Sequence, residues 1–143
     1  MLRVKVTEEG VFINGKRATR LQTDGSRECF VSGNVIVKLN DSEMFYQSNA
    51  ELRKWKVIEP RDKQYFVPPI SGKIARKNGW IAQRIIKFKC GRRKYASHQV
   101  IKAIARKYNL KDFESMENKN GTLLPCNWGI LPTGQPVIFD WGY

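Results

Sequence analysis

From Leu2 to Leu39 short apolar runs alternate with turn-forming pairs. Leu2–Val6, Val11–Asn14, Lys16–Leu21, Cys29–Val31 and Val35–Leu39 are separated by Glu9-Gly10, Asn14-Gly15, Asp24-Gly25 and Ser32-Gly33-Asn34. Runs of this length bounded by Gly and Asn read as strands joined by tight hairpins, so the pattern predicts an antiparallel meander. The period then lengthens. Met44–Lys56 reads as a helix with Ala50, Leu52 and Trp55 on its inner side, followed by an extended segment around Tyr65–Ile70. Asn78-Gly79 introduces Trp80–Ile86, a continuous and buried-looking strand. Ala96–Tyr108 is the clearest helix: Val100, Ile101, Ile104, Ala105 and Tyr108 recur at helical spacing, with Lys102, Arg106 and Lys107 largely opposite. Asn109 stops it, and Lys111–Asn118 adds a short helical turn. Finally Trp128–Leu131 and Val137–Phe139 flank the turn residues Pro132–Pro136, the signature of a β-hairpin. Strands first and helices later give an α+β fold class.

Composition narrows this. A chain of 143 residues with 41% hydrophobic content fits one compact domain, 1–143, with a real core. The N-terminus alternates apolar and charged residues as a strand does, unlike a signal peptide. No apolar run approaches the roughly 20 residues that cross a bilayer, so no membrane partner is expected. Cys29, Cys90 and Cys126 lack C-x-x-C spacing and His98 is the only histidine, which argues against a disulfide framework and a zinc site. A cytoplasmic location is expected.

Net charge is +13, and its placement matters more than its size. From Lys63 through Lys111 there are 14 Lys or Arg and no Asp or Glu; the remainder holds 26 − 14 = 12 basic against 13 acidic residues. The excess therefore lies in one stretch, densest at Lys87, Lys89, Arg92, Arg93 and Lys94 and continued by Lys102, Arg106 and Lys107. Such a field attracts a polyanion, whether an acidic protein surface, a phosphorylated ligand or nucleic acid, with Phe88, Tyr95 and Trp80 available for base stacking in the last case.

The candidate chemistry sits at the C-terminal hairpin. Asn127 stands at its entrance and Asp140 at its exit, so amide and carboxylate fall side by side as hard-oxygen ligands suited to Mg²⁺ and phosphate. Upstream, Val35-Ile-Val-Lys38 is an apolar strand ending in lysine, Gly25 and Ser26 form a turn before it, and Glu51 lies on the helix after it. This ordered set resembles the protein kinases and related small-molecule phosphotransferases, with Val35–Lys38 in place of V-A-I-K and Asp140-Trp-Gly in place of D-F-G. The resemblance implies an antiparallel sheet lobe with one helix (about 1–83), a short hinge, and a reduced second lobe with one long helix and a β-hairpin (84–143). It implies ATP and Mg²⁺ as cofactors. Gly25 and Ser26 would cover phosphates, Glu51 would orient Lys38, backbone groups of Gln83 and Ile85 would meet adenine, and Asn127 and Asp140 would hold metal.

The family places a catalytic Asp five residues before the metal-binding Asn; here that position is Thr122. A threonine hydroxyl is no general base at neutral pH, so the resemblance implies a degenerate protein. The sequence ends three residues after Asp140, which leaves the small lobe and the nucleotide-facing part of the large one. Small kinase-like proteins encoded by some bacteriophages are similar. The expected function is binding of a partner protein, such as a host factor, with Mg²⁺–ATP binding retained, and a homodimer or a docked protein would cover the long helix. Two alternatives stand beside it: an active minimal ATP-dependent phosphotransferase, and a basic nucleic-acid-binding module.

Overall fold

The computed structural model describes residues 2–21, 28–40, 47–74, 79–110 and 127–141. Three antiparallel sheets and two helices make up this part of the chain, a mixed α+β architecture. Strands β1 (Val4–Thr7), β2 (Gly10–Ile13) and β3 (Lys16–Arg17) form the first sheet in that order. The second has five strands, β4 (Thr19–Leu21), β5 (Cys29–Ser32), β6 (Val35–Leu39), β7 (Pro69–Lys73) and β8 (Trp80–Arg84), ordered β4-β5-β6-β8-β7. The third is small: β9 (Lys89–Cys90), β10 (Trp128–Ile130) and β11 (Pro136–Ile138), ordered β11-β10-β9. Helix α1 spans Gln47–Val57, a 3-10 turn spans Pro60–Tyr65, and α2 spans Ser97–Lys107.

The meander read from the turn pairs is present, with one difference. Asn14 and Gly15 both have positive φ, 51° and 80°, and close the β2–β3 hairpin with the two-residue loop their chemistry favours. The run Lys16–Leu21, however, is not one strand. It breaks at Ala18, whose amide donates to the Val11 carbonyl (2.8 Å), and the chain crosses from the first sheet to the second. Ala18 is buried at this corner, where a larger side chain would separate the two layers.

Strand alternation sorts the five-stranded sheet into two faces. Phe30, Val37, Leu39, Trp80 and Ala82 face outward and are covered by Val4, Val6, Val11 and Ile13 of the first sheet. Leu21, Cys29, Val31 and Ile36 face inward, against Val67, Val137 and Phe139. A further core gathers Phe66, Ile101, Ile104, Trp128, Ile138 and Trp141 beneath α2. Val100, placed on the apolar stripe by its spacing, is 40% exposed instead.

Helix α1 departs from its expected orientation. Its buried residues are Ser48, Asn49 and Glu51, whereas Ala50, Leu52 and Trp55 are only half-buried. The reason lies in the strand it covers. The Asn40 side chain accepts from the Ser48 amide (2.8 Å), and the Ser48 hydroxyl donates to the Lys38 carbonyl (3.0 Å). Buried polar groups at the end of β6 demand polar partners, and α1 turns that face inward. Leu52 then lies over Gly72, where an added Cβ would stand 2.6 Å from the Leu52 methyls.

Asp62 of the 3-10 turn ties α2 to the rest. Its carboxylate accepts from Lys107 Nζ (2.7 Å) and from the Tyr108 hydroxyl, and Tyr108 in turn accepts from the Glu59 amide (3.0 Å). Hydrogen bonds from Lys107 and then Tyr108 hold the Asp62 carboxyl below its ordinary 3.8. The bond to Asp62 holds Lys107 above 10.5, and desolvation followed by the same carboxylate holds Tyr108 above 10.0. A depressed carboxyl stabilises the fold above its ordinary value and loses that contribution as pH falls through its folded value. The raised Lys107 and Tyr108 contribute fully below their ordinary values and lose it as pH rises through their folded ones. Urea midpoints of Asp62→Asn at about pH 3, 7 and 11 should therefore vary less with pH than those of wild type. Parallel profiles would disprove the coupling.

Candidate functional site

The inward face of β6 presents Lys38, and α1 presents Glu51 opposite it. Lys38 Nζ lies 3.1 Å from Glu51 Oε1, with side-chain exposures of 2% and 0%. The same ammonium donates to the Phe139 carbonyl (3.2 Å). It also lies over two rings, 4.6 Å from the centroid of Phe139 and 5.8 Å from that of Trp141. Burying a lone ammonium is prohibitive; a carboxylate, a carbonyl and two aromatic faces together make it tolerable.

Gln83 of β8 completes the arrangement. Its Nε2 donates to the Val67 carbonyl (2.9 Å) and to the Phe139 carbonyl (3.1 Å), while its Oε1 is buried without a hydrogen-bond partner. The Trp141 indole donates to the Glu51 carbonyl (3.1 Å), and its ring packs on Trp55 and Phe66 at 6.1 and 5.4 Å. The hairpin delivers this segment. The Asn127 carbonyl accepts from the amides of Phe139 (2.7 Å) and Asp140 (3.2 Å), and the Val67 amide donates to the Ile138 carbonyl (2.9 Å). Asn127 and Asp140 thus flank the open end of the hairpin, as their spacing predicts.

The other predicted residues divide into three groups. Gly25, Ser26 and Thr122 lie outside the described residues. Gln83 and Ile85 were expected to offer backbone groups to adenine, but Gln83 is paired on both sides within the sheet and the Ile85 amide is engaged. Gln83 is fully buried within the sheet, and the Ile85 amide donates to the Asn34 carbonyl (2.8 Å), closing the β5–β6 turn onto β8. Among the basic residues, Lys87, Lys89, Arg92, Arg93, Lys94 and Arg106 are exposed and Lys102 is half-buried. Lys107 is a correction: Asp62 and Glu59 engage it at 2.7 and 3.3 Å, so it serves the fold rather than a polyanion.

The aromatics expected beside that basic surface also turn inward. Trp80 is in the core, Phe88 packs against Phe139 at 6.0 Å, and Tyr95 lies beneath Lys89 Nζ at 5.1 Å. A stacking platform for single-stranded nucleic acid is therefore not formed by these three. Cys90 is disulfide-bonded while Cys29 is a buried free thiol.

The residues fit the implied cofactors unevenly. Asn127 and Asp140 supply two oxygen-bearing side chains, the number a Mg²⁺ ion takes when phosphates and water complete its shell. Among the described residues no group of three or more His, Cys, Asp or Glu could hold a metal unaided. Lys38 fits poorly, since a phosphate would have to displace the Phe139 carbonyl and ring to reach it. A separate groove of about 1150 Å³ over β1 and its flanking turns is lined by Arg3, Lys5, Glu8, Glu9 and Phe12. Its charges balance, and it lies on the first sheet, not at Lys38.

Three features of the site escaped the sequence reading: the Phe139 carbonyl, the Trp141 indole and the Gln83 side chain. Only Gln83 carried a signal, being an uncharged polar residue inside the apolar run Trp80–Ile86. No helix of the described residues is long and apolar enough to cross a membrane. Compared with protein-family models, characterised proteins and solved structures, the chain matches none.

Proposed function

We propose that the chain is a degenerate kinase-like protein that acts by binding a partner protein and not by phosphoryl transfer. The observation that carries this reading is the buried pair of a strand lysine and a helix glutamate, Lys38 Nζ to Glu51 Oε1 at 3.1 Å, with the segment containing Asp140 packed against it. The pair joins β6, α1 and the C-terminal hairpin in the order the kinase resemblance requires. Thr122 in place of the general base argues for binding over catalysis.

The partner surface in this reading is the basic stretch through Lys87, Lys89, Lys94 and Arg106, and the partner is an acidic protein surface, such as a host factor in the cytoplasm. The inward turn of Trp80, Phe88 and Tyr95 favours that partner over single-stranded nucleic acid. Two assays test the reading. Chain incubated with Mg²⁺, γ-labelled ATP and host extract should transfer no more label than Lys38→Met does; transfer lost on that substitution would make it a minimal phosphotransferase. Affinity for polyglutamate should fall with salt and with Lys94→Glu plus Arg106→Glu. Tighter binding to a DNA duplex than to polyglutamate would favour the nucleic-acid module.

A further inference from the structure

We infer that Lys38, Glu51 and Gln83 form a binding site for the chain's own Phe139–Trp141 segment, and that this occupant excludes Mg²⁺–nucleotide from the strand lysine. The kinase-like reading enters only through the identity of the excluded ligand; the anchoring stands on geometry alone.

A lysine ammonium has three N–H donors and no acceptor. Here Glu51 takes one at 3.1 Å and the Phe139 carbonyl another at 3.2 Å, while the Phe139 and Trp141 rings cover the same group. Lys38 is left 1% exposed. A triphosphate would need an oxygen about 2.7–2.9 Å from Nζ to make a charge-assisted bond, which is where protein already stands. The occupant is held from every side. Gln83 donates to the same Phe139 carbonyl, Asn127 accepts the Phe139 and Asp140 amides, and Trp141 is bonded to the Glu51 carbonyl. Phe139 itself is 2% exposed and belongs to the apolar cluster with Cys29, Ile36, Val67 and Val137. A loosely resting lid would show none of this.

The amide of Gln83 argues the same way. Its nitrogen serves two carbonyls while its oxygen stays buried and unpartnered, and a flipped amide would set oxygen against both carbonyls. Leaving one acceptor unsatisfied is tolerated because the donors are what the anchored segment requires.

Two measurements on the intact chain decide the matter. With Mg²⁺–ATP and Mg²⁺–ADP as probes at millimolar concentration, the thermal midpoint should stay where it is without nucleotide. A rise of several degrees that Lys38→Met abolishes would overturn the exclusion. Hydrogen exchange reads the anchoring. In Gln83→Leu and Lys38→Met, exchange at the Phe139 and Asp140 amides and the Trp141 indole should accelerate at least tenfold more than at the β5 and β6 amides. Uniform acceleration, or none, would overturn the anchoring, and Gln83→Leu suffices should Lys38→Met fail to fold. Nucleotide binding without label transfer would sink this inference and leave the kinase-like reading intact, whereas label transfer lost on Lys38→Met, which needs nucleotide at that lysine, would sink both.

Discussion

Replacing Glu51 with alanine is expected to lower the unfolding free energy by about 3–5 kcal/mol, the loss seen when one member of a buried ion pair is removed. Lys38 would remain as a buried ammonium with a carbonyl and two rings but no counter-charge. Lys38 is 1% exposed, so the variant leaves an ammonium shielded from bulk water without its carboxylate. The double substitution Lys38→Met with Glu51→Leu should be far milder, because apolar replacement of both partners removes the penalty along with the attraction. Urea unfolding of wild type, Lys38→Met, Glu51→Leu and the double variant forms a cycle whose coupling is expected near 2–3 kcal/mol. Additive single effects would mean that the two charges do not depend on each other.

A loss of similar size is expected at Trp128. The residue is fully buried, packs with Ile101, Ile104, Phe66, Ile138 and Trp141, and its ring lies against Gly91 so closely that an added Cβ there would overlap it. The His98 ring stands 5.9 Å away on α2. Trp128→Ala removes one of the two fully buried tryptophans of this core and leaves a cavity between α2 and the hairpin, at about 3–5 kcal/mol. The midpoint should fall by about 10 °C on the usual scaling for a chain of this size. Against a typical total stability of about 5–15 kcal/mol, that places the variant near the edge of folding. A fall of only a few degrees would show that Trp128 is not the keystone of the core beneath α2.

Both residues were legible to different degrees, for physical reasons. Trp128 sits in an apolar run beside turn residues, and a hairpin strand with a buried aromatic follows directly from that pattern. The Lys38–Glu51 pair was reached through the order of elements implied by a resemblance, since a strand-end lysine alone is indistinguishable from a solvated one. The inward face of α1 was misread because periodicity assigns apolar residues to the core, whereas Ser48 and Glu51 are buried to satisfy Asn40 and Lys38. Lys107 was misread because its partner Asp62 precedes the acid-free stretch and meets it only through the turn of the 3-10 segment. The Phe139 carbonyl is a main-chain atom and leaves no mark on sequence at all. Local pattern thus recovered most of the described elements to within a few residues, though it joined β3 to β4 and left out β9 and the 3-10 turn, while the network at Lys38 depended on contacts between segments far apart in the chain.

The covering of the five-stranded sheet by β1–β3 also governs how the chain reaches its fold. The first three strands leave the ribosome before anything they pack against, and hairpins of this size are marginal on their own in water. Their apolar side, Val4, Val6, Val11 and Ile13, finds Trp80 and Ala82 only when β8 has been made. Non-local pairing of this kind slows folding and leaves sticky strands exposed in the interval. Expression at low temperature, or with chaperones that shield nascent strands, should therefore raise the soluble yield of this chain more than any change at its C-terminal hairpin.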